Sequence, residues 1–91
     1  EYHVDKAFLS CKGVHPDYGL SESNELQARV KQKMADIADE IILLADTSKF
    51  GVQAFARFAA PDRVSLIITD SRLPEEARAP YASRGIRIIA V

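Results

Sequence analysis

The run Ile41-Ile42-Leu43-Leu44-Ala45 constrains what this chain can fold into more than any other stretch. Large apolar side chains without alternation describe a strand buried on both faces, as parallel strands are when other layers cover both sides. The run stops at Asp46-Thr47-Ser48-Lys49-Phe50-Gly51, so an acid, hydroxyls and a cation stand together where the strand ends. In open α/β sheets, ligands bind in the crevice beyond the carboxyl ends of the strands. A lysine beside hydroxyls suits an anion such as a phosphate. The competing reading has Asp46 or Ser48 capping a turn while Lys49 stands in water.

Three further strands are expected, at Lys6–Ser10, Val64–Thr69 and Ile86–Val91, with the apolar run extended to Glu40–Ala45. The last three are rich in Ile, Leu and Val, as internal strands should be. A helix is expected at about Asn24 to Ala38, where Leu26, Val30, Met34, Ile37 and Ile41 draw one apolar stripe, read as core. Asn24 and Gln27 have capping-box spacing at its start. A second helix is expected over Pro74–Arg84, with Pro74 at its first position and Gly85 at the left-handed position after its end. Pro80 should kink or divide it near Ala79. Between Phe50 and Arg63, extended structure and a helical turn both fit, with Pro61-Asp62 marking a turn. Strands alternating with helices predict an α/β, Rossmann-like domain with a mostly parallel sheet, right-handed crossovers and flanking helices.

Ninety-one residues make one domain at most, burying about two-thirds of the unfolded surface. Twelve basic residues against thirteen acidic ones leave a net charge of -1 with no basic stripe. Duplex affinity rests on phosphate neutralisation by clustered Lys and Arg, so this segment is not expected to hold nucleic acid itself. The lone cysteine, Cys11, excludes an internal disulfide and fits a reducing cytoplasm. The longest apolar run is far too short for a membrane span. The opening residues are no signal peptide, and without an initiator Met the chain reads as a piece of something longer.

In a parallel sheet, strand ends of one polarity share an edge. Ser10-Cys11-Lys12-Gly13 follow the first strand, Asp46 to Gly51 the second, and Asp70-Ser71-Arg72 the third. The candidate effector-binding residues are therefore Lys49, Ser48, Lys12, Gly13, Asp46 and Asp70, with Gly13 permitting close backbone approach to an anion. Loops are polar in any case, which is the competing explanation. His3 and His15 have no partner at metal-ligand spacing and read as surface residues. Neither is placed to activate Cys11, which reads as a small buried thiol. Glu22, Glu25 and Asp17 are acid-base candidates, but acids near a helix start also answer its dipole. No phosphate-loop, dinucleotide-binding or nucleophile-elbow motif occurs. Residue chemistry leads to an anion-binding α/β domain, with no metal or cofactor implied.

Those same residues carry a family likeness. Asp5-Lys6-Ala7-Phe8-Leu9, Gly13-Val14, Gly19-Leu20-Ser21, then Asp46-Thr47-Ser48-Lys49-Phe50-Gly51 and Ile68-Thr69-Asp70 resemble the C-terminal effector domain of DeoR-family bacterial transcription regulators, from about Val4 to the C-terminus. Ser-Lys-Phe-Gly after an apolar strand is the most specific element. The resemblance implies an N-terminal winged helix-turn-helix joined to a domain similar to ribose-5-phosphate isomerase. That domain would sense a phosphorylated sugar or related metabolite and alter operator binding, usually in repression, and the regulator would be a homo-oligomer. By the resemblance, Lys49 contacts the sugar phosphate. The loop that holds catalytic acids in the isomerases here reads Ser10-Cys11-Lys12-Gly13, without a carboxylate, and Gln27 stands where many members carry glutamate. The DNA-binding domain and the first part of the sensor, with its Gly/Thr-rich phosphate loop, are expected to lie outside this chain. The present segment would then be a partial domain with one face of its sheet or helices short of covering.

Three functions are thereby distinguished: a sensor portion that binds without turnover, a sugar-phosphate isomerase, and a ligand-free oligomerisation module. Proton shuttling between carbons needs a positioned base, and the loop after the first strand supplies none.

Overall fold

The computed structural model describes residues 2–91. In chain order its elements are β1 (Val4–Ser10), β2 (Gly13–His15), β3 (Gly19–Glu22), α1 (Glu25–Asp36), β4 (Ala38–Leu44), β5 (Ala56–Ala59), β6 (Val64–Thr69), α2 (Glu75–Ala82) and β7 (Arg87–Ala90). Short 3₁₀ turns occupy Thr47–Lys49 and Pro61–Arg63. The expected α/β architecture is present: β1, β4, β6 and β7 form one sheet in that spatial order, and every pairing in it is parallel. A second, smaller sheet of β2, β3 and β5 is antiparallel.

The pleat sorts the large sheet into two faces. Ala7 pairs with Ile41, Leu9 with Leu43, and Leu43 with Ile67, and all of these are buried. They meet Val14, Leu20 and Phe58 from the small sheet, Ala28 and Ala35 from α1, and Tyr81 from α2 in one core. Fully burying a Leu or Ile side chain is worth about 1.5–3 kcal/mol, so this layer contact supplies most of the driving force. The opposite face carries Phe8, Ile42 and Leu66 in one row and Leu44, Ile68 and Ile89 in the next. Phe8 is 59% exposed and Leu44 46%. The apolar run is therefore buried on one face and only partly covered on the other, the shortfall in covering that the resemblance implied.

The small sheet was not expected, because its strands are short and only its turns have a sequence signature. The β2–β3 turn ends at Gly19, whose φ is +97° and whose missing Cβ would fall 2.2 Å from the Ala59 carbonyl oxygen. Only glycine fits such a position. The undecided stretch Phe50–Arg63 holds β5 followed by the Pro61–Arg63 turn, so both extended structure and a helical turn occur in it.

The helix α1 starts as expected: Asn24 is the N-cap and accepts from the Gln27 amide at 2.8 Å. Its far end is held by Arg63, whose Nη2 donates to the Ala35 and Ala38 carbonyls at 3.0 Å each. The face it buries is not the expected one. Leu26 is 73% exposed and Val30 54%, and Met34 is exposed as well. Of that stripe only Ile41 is fully buried, and it belongs to β4. The buried side is Ala28 and Ala35, with Lys31 between them lying over the Phe58 ring at 5.8 Å. Small residues let α1 settle closely onto the aromatic surface of β5, which turns the bulky stripe outward. The helix α2 runs from Glu75 to Ala82 with Pro80 inside, so it is not divided near Ala79, and Pro74, expected at its first position, is its N-cap. The hydrogen bond lost at Pro80 would have gone to the carbonyl of Glu76, an exposed residue. Gly85 lies beyond the end at φ +79°.

The inverted helix face has a direct test by urea unfolding. Leu26→Gln should change stability by less than about 0.5 kcal/mol, as surface substitutions do. Ala28→Leu should cost about 1–3 kcal/mol by overpacking.

Candidate functional site

Parallel pairing sets the site. Ser10 lies opposite Leu44 in the ladder, so the chain leaves β1 and β4 side by side at one edge. A cavity of about 400 Å³ opens there. From the β1 exit it is lined by Ser10, Cys11 and Lys12, and from the β4 exit by Leu44, Ala45, Asp46 and Lys49. Its remaining wall is Glu22 at the end of β3 and Ser23 just beyond it, with Gln27 and Lys31 of α1.

The β4 exit is shaped by two acids. Asp46 caps the 3₁₀ turn, accepting from the Ser48 amide at 2.9 Å and also from the Ser48 hydroxyl. Those bonds, chiefly the one from the hydroxyl, hold its carboxyl below the usual range, and Lys49 Nζ sits 3.7 Å from it. Asp70, at the β6 exit, reaches across to the same turn. It accepts from the Thr47 amide at 2.9 Å and the Thr47 hydroxyl at 2.6 Å, and is clasped by Arg72 Nε at 3.1 Å. Arg72 first and Thr47 second drive its pKa far below the ordinary value.

Of the six sequence candidates, Lys12, Lys49 and Asp46 line the cavity together. Ser48 is turned into the Asp46 cap, and Asp70 braces the turn through Thr47. Gly13 is part of β2, where a Cβ would fall 2.4 Å from the Val52 carbonyl oxygen, so its smallness serves strand packing. Lys12 is exposed and makes no ion pair among the described residues. Cys11 is buried, and desolvation pushes its thiol up to about 11 despite the nearby Lys31, so it is a protonated wall group and no nucleophile.

Two features escaped the sequence reading as parts of a site. The first is the pair of Glu22 and Lys31, 2.5 Å apart and both largely buried. Glu22 was visible only as an acid near a helix start, and Lys31 is marked only by its place between Ala28 and Ala35. The second is Tyr81 of α2. Its hydroxyl donates to the Val14 carbonyl at 2.9 Å and accepts from the Gly51 amide at 3.1 Å, while its ring meets Phe50 edge-on at 5.3 Å. Burial raises the phenol's pKa, which keeps it a donor. Tyr81 thereby ties the segment just after Lys49 to β2 and α2.

His3 also has partners that spacing alone did not show. His3, Asp5 and Asp39 place ligand atoms within 4.8 Å of one another, all exposed, and His3 Nε2 is 2.7 Å from Asp39. The hydrogen bond to Asp39 raises the imidazole pKa. They sit at the starts of β1 and β4, the end of the sheet opposite the cavity. His15 accepts from the Asp17 and Tyr18 amides at 3.1 Å each and shapes the β2–β3 turn.

The family described as the DeoR C terminal sensor domain matches residues 1–71. An uncharacterized HTH-type transcriptional regulator of Bacillus subtilis, YulB, is 42% identical over 99% of this chain and 35% of its own length. The HTH-type transcriptional repressor GlcR of the same organism is 41% identical over 97% of this chain and 34% of its own length. The L-fucose operon activator of Haemophilus influenzae is 33% identical over 80% of this chain and 29% of its own length. The chain thus spans about a third of the length of the relatives it matches.

Two outcomes follow. Tyr81→Phe leaves the ring contact and removes both hydroxyl bonds, so unfolding free energy should fall by about 1–2 kcal/mol, with an NMR shift change at the Gly51 amide. Asp70 has a depressed pKa, so its contribution is complete above the unfolded carboxylate value of about 4 and is lost as pH falls through the folded value. The stability gap between wild type and Asp70→Asn, followed by urea unfolding, should therefore narrow on acidification.

Proposed function

We propose that this chain, which belongs to the DeoR C-terminal sensor-domain family, binds a phosphorylated sugar or related anionic metabolite at the carboxyl ends of β1 and β4. The observation that carries this reading is that Lys12 and Lys49, brought from separate strand exits, line one cavity. Lys12 offers an ammonium that makes no ion pair among the described residues, and Lys49 exchanges its loose contact with Asp46 for the ligand's anion. Asp46 and Asp70 keep the turn that presents Lys49 in place. In the whole regulator, binding that favours one of two conformations shifts the affinity of a helix-turn-helix domain for operator DNA. The names of relatives support that setting, since they include an HTH-type transcriptional repressor and an operon activator. A regulator of this kind works in the cytoplasm as a homo-oligomer. The exposed apolar rows on the sheet and the outward stripe of α1 support self-association.

An isomerase-like activity is the second reading, and one observation favours it: Glu22 and Asp46 bring carboxylates to the cavity wall that the β1 loop lacks. Against it, Glu22 is engaged by Lys31, and Asp46 is held ionised by its cap, which makes it a weak base.

Thermal-shift screening of the full-length protein against phosphorylated sugars tests the sensor, because a ligand specific for the folded state raises stability by mass action. Lys49→Ala should weaken binding by about 10- to 100-fold, the worth of one charge-assisted bond. A flat response across a broad panel returns the chain to a ligand-free oligomerisation module. Turnover of an aldose phosphate makes it an enzyme.

A further inference from the structure

We propose that His3, Asp5 and Asp39 form a site for a divalent transition-metal cation of the zinc type, which fastens the entry of β1 to the start of β4. The site lies at the end of the large sheet opposite the cavity and does not depend on the anion reading.

Strand periodicity assembles the three groups. Along β1, Ala7 and Leu9 are buried in the core, and Asp5 continues their face toward the strand's start. His3 precedes Asp5 by the same step. Along β4, Ile41 and Leu43 are buried, and Asp39 continues that face in the same sense. Val4 pairs with Ala38 and Lys6 with Glu40, which sets Asp5 beside Asp39 on neighbouring strands. The Val4 amide donates to the Ile37 carbonyl at 2.9 Å, so the backbone is held right up to His3.

Carboxylates side by side on one face of a sheet repel each other. Among the described residues, the Asp39 carboxylate has His3 Nε2 as its partner at 2.7 Å, and the Asp5 carboxylate has no hydrogen bond or ion pair. Lys6 stands on the other face of the sheet, where it pairs with Glu40. A proton on His3 therefore offsets half of the negative charge here, and a dication offsets all of it.

The donor set fixes the class of ion. An imidazole nitrogen with carboxylate oxygens suits zinc and its first-row neighbours, whereas magnesium and calcium favour oxygen ligands alone. Ligand atoms about 2.0–2.2 Å from one zinc ion stand roughly 3–3.5 Å from each other. Here all three lie within 4.8 Å of one another, and the side chains are exposed and able to rotate inward. Three protein ligands leave a coordination position for water.

Titration of the full-length protein with zinc chloride, followed by calorimetry and by the imidazole nitrogen resonances, tests the site. Zinc should shift His3 Nε2, leave His15 unmoved and raise the melting temperature, while magnesium chloride does none of these. Asp5→Asn removes no bond of the metal-free protein, so it should fold as wild type does and bind zinc at least about tenfold more weakly. His3→Gln should abolish the rise in melting temperature. A His3 resonance that stays put at millimolar zinc, or zinc binding undiminished by Asp5→Asn, overturns the site and leaves a surface contact between His3 and Asp39. Magnesium bound as tightly as zinc overturns the assignment of the ion.

Discussion

Ser10 stands across from Leu44 in a ladder whose strands run the same way, and the rest of the site depends on that pairing. Had β4 run antiparallel to β1, Lys49 would leave at the opposite end of the sheet from Lys12. Parallel pairing requires a long crossover, and this chain uses the crossover well. The connection between β1 and β4 contains β2, β3 and α1, the elements that bring Glu22, Gln27 and Lys31 to the cavity. One topological constraint therefore gathers groups as distant in sequence as Lys12, Lys31 and Lys49.

What the amino-acid pattern revealed, and what it hid, follows from the kind of signal each element carries. The strand β6 was legible to the residue, since Val64, Leu66, Ile67 and Ile68 fall within one short segment bounded by Arg63 and Asp70. The N-cap at Asn24 was legible because capping is local chemistry. The burial of α1 was not, because periodicity counts large apolar residues and takes them for the inner face. Here the inner face is Ala28, Lys31 and Ala35, chosen for how close the helix must come to Phe58. The small sheet was illegible because strands as short as Gly13–His15 derive their stability from partners elsewhere.

The candidate site divides in the same way. Lys12 and Lys49 were visible because each follows an apolar strand directly. Ser48 and Asp70 were visible by the same criterion, yet they hold the turn and not the cavity wall. Position at a strand exit identifies the neighbourhood, while side-chain direction depends on hydrogen bonds between separate exits. The Glu22–Lys31 contact joins β3 to α1 through a carbonyl of β1, and no spacing rule connects three such elements.

The fastening of the segment around Lys49 has a consequence for how recognition can proceed. Thr47 is pinned to Asp70 on one side, and Gly51 is pinned to Val14 and Tyr81 on the other. Between those anchors the backbone has no slack to swing as a flap. For the anion proposed to bind here, adjustment at this rim would fall to the long side chains of Lys12 and Lys49 and not to a swing of the backbone between the two anchors.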